Sequence, residues 1–72
     1  MTRDKPSIII NRMVKLRILR EKLFLTQPEL AAKAEISHIT LNRLENGKQK
    51  PSFKTIRKLA KALGVEPGEI EF

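Results

Sequence analysis

Apolar positions fall into blocks with a helical period, separated by caps and breakers. From about Asn11 to Leu23, the residues Met13, Leu16, Leu19 and Leu23 recur at steps of three and four, on one helix face. Ile10, Val14 and Ile18 form a second stripe at four-residue steps, more apolar surface than a simple surface helix needs. Thr26-Gln27-Pro28-Glu29 has the form of a capping box, with Pro28 in the first turn where its missing N–H costs nothing. It opens a helix over about residues 27–34 with Leu30, Ala31 and Ala34 inward. Ser37 caps a third helix, about 38–46, with Leu41 and Leu44 inward, and Asn46-Gly47 ends it. After the basic loop Lys48-Gln49-Lys50-Pro51, Ser52 caps a helix over about 53–63 whose inward face is Phe53, Ile56, Leu59, Ala60 and Leu63; Gly64 stops it. Pro67 opens a last short helix, about 67–71, carrying Ile70. No segment reads as a strand. The pattern predicts an all-α, compact five-helix bundle over residues 11–72, preceded by a flexible arm over 1–10.

Composition narrows the function. Seventy-two residues make one small domain, and a chain of that size buries only about 60% of its unfolded surface. No Cys means no disulfide frame and no thiolate metal site, which suits a cytoplasmic protein. The longest apolar run, Ile8-Ile9-Ile10, falls far short of a membrane span. His38 is the only His and Asp4 the only Asp, so a Ser-His-Asp set would need the N-terminal arm. With no metal cluster, no glycine-rich phosphate loop and no paired carboxylates on one helix, the expectation is a protein that is not an enzyme and has no cofactor, metal or small-molecule ligand. The charge is uneven. Residues 1–61 hold all 15 basic residues against five acids, net +10, while 62–72 hold Glu66, Glu69 and Glu71 and no base, net −3. One basic region and an acidic end suggest a polyanion on one side. Three Phe, with no Tyr or Trp, argue against a single-strand binder that stacks bases on rings.

Two short helices joined by a tight turn, with a small residue such as Ala31 where they approach, make a helix-turn-helix arrangement. Leu25-Thr26-Gln27-Pro28-Glu29-Leu30-Ala31, Leu44-Glu45-Asn46-Gly47-Lys48 and Leu59-Ala60-Lys61-Ala62-Leu63-Gly64-Val65 sharpen it. From about Ile10 to Ile70 the chain closely resembles the Cro/cI-type (lambda-repressor-like, XRE) helix-turn-helix family. The resemblance implies a sequence-specific regulator of transcription, a repressor, whose second motif helix enters the major groove of double-stranded DNA. Carried over by position, Ser37, His38, Ile39, Asn42 and Arg43 face the bases. Helical geometry agrees independently, because 38, 39, 42 and 43 lie opposite Leu41 and Leu44. Arg43 can donate two bonds to guanine, Asn42 can pair with adenine and Ile39 can contact a thymine methyl.

The resemblance also implies phosphate contacts from Gln27, Thr40, Asn46, Lys48 and Lys50, which position the protein without reading sequence. It further implies a structural ion pair between Arg20 and Glu45, each set among apolar residues of its helix. Two departures stand out: the family has Gly after the first helix and between the motif helices, where this chain has Phe24 and Glu35. Either these residues accept a left-handed backbone or the turns differ. A two-fold dimer is implied, and the sequence offers two surfaces for it. One is Val65, Pro67, Ile70 and Phe72; the other is the stripe Ile10, Val14 and Ile18. Alternatively the two cover each other and close the core. A rival reading from another class is an antitoxin that binds a toxin protein and autoregulates its operon.

Overall fold

A computed structural model describes residues 13–72. The expected arm, residues 1–10, and the first residues of the expected leading helix lie outside the described residues. The order of elements is β1 (Val14–Lys15), α1 (Leu16–Lys22), α2 (Gln27–Ala34), α3 (His38–Glu45), α4 (Phe53–Leu63), one 3-10 turn (Pro67–Glu69) and β2 (Ile70–Glu71). The four helices surround a core in which Leu16, Leu30, Leu41, Leu44 and Leu59 are fully buried. Each such leucine contributes about 2 kcal/mol by leaving water. Leu19, Ala31, Ala34, Ala60, Ala62, Leu63 and Ile70 complete the core, and Val14, Leu25, Ile36 and Val65 pack half-buried around it.

The local devices that begin and end the helices are side-chain chemistry. Thr26 Oγ1 accepts from the Glu29 backbone N–H at 3.2 Å, and the Thr26 N–H donates to Glu29 Oε1 at 2.8 Å, so α2 opens with a complete capping box. Ser37 and Ser52 accept from the backbone N–H of Thr40 and Thr55 and cap α3 and α4. Gly64 closes α4 at φ 73°, in the left-handed region that favours glycine. Phe24 at φ 57° and Glu35 at φ 60° adopt that same conformation without being glycine. Each carries strain of about 1 kcal/mol. The surrounding bonds hold them: Ile36 N–H to Ala31 O at 2.9 Å beyond Glu35, and Arg20 Nη1 to Leu25 O at 2.9 Å beyond Phe24.

The ends of the bundle differ from expectation. In place of a helix over 11–23, the described chain is extended at Val14–Lys15 and helical only from Leu16 to Lys22. In place of a fifth helix over 67–71 there is a single 3-10 turn followed by extended Ile70–Glu71. The two extended pieces pair in parallel, Val14 opposite Ile70 and Lys15 opposite Glu71, so strands exist where none was expected. The physical reason is burial: pairing puts Ile70 into the core at 2% exposure and covers Val14, which two free helix ends would leave wetter. Thus Val14 and the C-terminal segment do cover each other. Met13, Ile18 and Leu23 stay about half exposed, so the core face of α1 is narrower than the spacing suggests. Phe53 is also not inward but 82% exposed. Burial along that face of α4 rises from Phe53 through half-buried Ile56 to Leu59, so this helix enters the core only in its second turn.

Candidate nucleic-acid interface

The α2 helix packs against both α3 and α4, and its small residues Ala31 and Ala34 are buried, each 3% exposed. Leu41 and Leu44 point α3 into the core, which turns its other side outward. His38, Ile39, Asn42 and Arg43 are exposed on that side, with Ser37 exposed at its N-terminus and Thr40 half-buried. Ile39 is 65% exposed, an apolar surface beside three polar side chains. Asn46, Lys48 and Lys50 are exposed at the end of α3 and in the loop behind it. Gln27 is half-buried at the start of α2. The chain therefore presents the α3 residues singled out from the sequence on one continuous surface, flanked by lysines of the loop.

Beneath that surface lies an ion pair. Arg20 Nε donates to Glu45 Oε2 at 2.7 Å and Nη2 to Oε1 at 3.0 Å, a two-pronged contact between α1 and α3. The side chains are 11% and 3% exposed. Burial alone pushes the Glu45 carboxyl up. The hydrogen bonds from Arg20 and Gln27 and the Arg20 charge outweigh it, so the carboxyl sits below its ordinary value. The hydrogen bond to Glu45 raises Arg20 in turn. Glu29, by contrast, is exposed and is held down by its bonds to Thr26.

Sequence reasoning missed the inward role of Gln27. Its Nε2 donates to Glu45 Oε1 at 2.9 Å, while its Oε1 meets Asn42 Nδ2 at 3.3 Å and His38 Nε2 at 3.2 Å. Asn46 Nδ2 donates to Asn42 Oδ1 at 3.2 Å. A chain of amides thus runs from the buried pair to the exposed face of α3. No local signal foretells it, because Gln27 and Glu45 are 18 residues apart. Of the C-terminal surface, Ile70 belongs to the chain's own core and is unavailable for pairing, Val65 is half-buried beside it, and Pro67 and Phe72 remain exposed. Among the described residues no cluster of His, Asp or Glu is placed to hold a metal, and no helix is long and apolar enough to cross a membrane.

A family model described as helix-turn-helix matches residues 16–70, most of the chain. The chain belongs to the Cro/cI-type helix-turn-helix family. Among solved structures, this helix-turn-helix protein is similar to the restriction-modification controller protein C.AhdI from Aeromonas hydrophila. The two are 37% identical with a TM-score of 0.73, over 75% of this chain and 82% of that one. No curated protein sequence matches. As a member of this family the protein is a DNA-binding regulator of transcription.

Proposed function

We propose that the protein is a sequence-specific repressor that lays α3 in the major groove of an operator, two copies reading a palindrome by two-fold symmetry. The observation that carries this reading is the outward face of α3: His38, Ile39, Asn42 and Arg43 exposed together on a helix clamped to α1 by the Arg20–Glu45 pair. With Ser37 these residues form the reading head. Arg43 donates to guanine, Ile39 meets a thymine methyl, and Asn42 faces the groove. Gln27, Thr40, Asn46, Lys48 and Lys50 hold the flanking phosphates and set the salt dependence. The likeness to a restriction-modification controller protein supports the regulator reading, and the protein is expected to act in the cytoplasm. No observation favours the toxin-binding reading.

Selection of bound duplexes from a random library tests the proposal and yields the site, its symmetry and half-site spacing together. The expected result is one preferred palindrome with half-sites about 34 Å apart, bound tightly, and weak, steeply salt-dependent binding elsewhere. Equal affinity for every duplex rejects the regulator reading in favour of a nonspecific binder. Sedimentation showing one monomer per half-site, without cooperativity on the palindrome, rejects the dimer.

A further inference from the structure

Gln27 sits between the buried ion pair and the exposed end of α3, and only one orientation of its amide satisfies its neighbours. Glu45, paired with Arg20, is a carboxylate whose oxygens only accept, so the Gln27 atom 2.9 Å from Oε1 is the NH2 group. The amide oxygen then faces outward, where Nε2 of His38 and Nδ2 of Asn42 converge on it at 3.2 and 3.3 Å. An oxygen cannot donate, so Nε2 of His38 carries the proton. A neutral imidazole has one protonated and one bare nitrogen. The bare one is therefore Nδ1, and it has no hydrogen-bond partner among the described residues. Asn42 is held in the same sense, its Oδ1 accepting from Asn46 at 3.2 Å.

We infer that Glu45, acting through the Gln27 amide, fixes His38 as a hydrogen-bond acceptor, so that the base it meets carries an exocyclic amino group, adenine N6 or cytosine N4. These two are the donors of the major groove, whereas guanine O6 and N7 and thymine O4 would oppose lone pair to lone pair. The inference rests on the reading that α3 lies in that groove. Gln27 is then a positioning residue: besides any phosphate it touches, it sets the sense of a specificity-determining side chain. The polarity of the reading face is imposed from beneath.

Two measurements on the full chain decide it. The first needs no DNA. Long-range proton–nitrogen correlation in alkaline buffer, where imidazole is neutral, is expected to show Nδ1 of His38 bare and Nε2 protonated. Gln27→Met, which keeps length and removes the bonds, is expected to shift both nitrogens toward a tautomer mixture. A protonated Nδ1 in the wild type, or tautomers unmoved by Gln27→Met, overturns the inference. The second measurement locates the base met by His38 as the site position whose preference flattens in His38→Ala. Adenine or cytosine is expected there. Replacing it with its amino-free analogue (purine or 2-pyrimidinone) is expected to weaken the wild type about tenfold and leave His38→Ala unchanged. Guanine or thymine at that position, no flattened position, or an equal loss in His38→Ala overturns the inference. A wild type with no preference among duplexes sinks the operator-binding reading itself, a result distinct from any of these.

Discussion

Arg20→Met removes one partner of the pair that mounts α3 and leaves the other in place. The variant loses the bonds of 2.7 and 3.0 Å to Glu45. It also strands a carboxylate that is 3% exposed, with Gln27 alone among the described residues still donating to it. Removing one member of a buried pair costs about 3–5 kcal/mol. The Arg20 side chain is 11% exposed at the edge of a small domain, so the lower end applies, about 3 kcal/mol. Stability near 0.1 kcal/mol per residue gives such a chain about 4–10 kcal/mol in total. The loss therefore removes a large share, and the melting temperature falls by about 15 °C.

The pH dependence separates this account from a general loss of packing. In the wild type, burial pushes Glu45 up, but the bonds from Arg20 and Gln27 and the Arg20 charge bring it below its ordinary value. Its contribution to stability is thus present above the unfolded carboxylate range and lost as pH falls through the lower, folded value. Without Arg20, burial prevails and the carboxyl rises above its unfolded value, so protonation favours the folded variant. The gap between the two proteins is expected to be widest near neutrality and to narrow as pH falls toward about 4.5. Urea unfolding followed by far-ultraviolet circular dichroism measures it, since the chain has no Trp or Tyr. A gap below about 1 kcal/mol, typical of a solvated surface pair, or one that stays constant with pH, refutes the reasoning.

Arg43→Ala is expected to relax preference at one base position by about 1–3 kcal/mol in competition binding; uniform weakening of all sites would place Arg43 on the phosphates instead. Lys48→Ala should weaken all duplexes alike and reduce the slope of log affinity against log salt by about 1, as read from a salt titration. An altered site preference would count against that role. Phe24→Gly relieves a φ of 57° at a side chain 93% exposed, so nothing packed is lost. Stability is expected to rise by about 0.5–1 kcal/mol, and a lower melting temperature would show that Phe24 is held by something other than its turn.

What could be read from the sequence, and what could not, divides by the distance over which each feature is encoded. Thr26 with Glu29, Ser37 with Thr40 and Ser52 with Thr55 are contacts across three residues, so the helix starts were legible as local chemistry. The outward side of α3 followed from one helix's period and the inward Leu41 and Leu44. The strand pair was hidden for the opposite reason. Two residues carry no period, and Val14 finds Ile70 only when the whole chain has folded. Val14 through Leu19 even supports both readings, since 14 and 16 alternate as in a strand while 16 and 19 repeat as in a helix. Phe53 shows a further limit: angular position places it near the core face, but burial also depends on how far along the axis the neighbouring elements reach. At the site the same division holds. Which side chains α3 exposes is a local property. The directions of the Gln27 and Asn42 amides depend on a contact between α2 and the carboxylate buried under α3. A substitution at that carboxylate, remote from any base, would therefore alter what the exposed face can donate and accept.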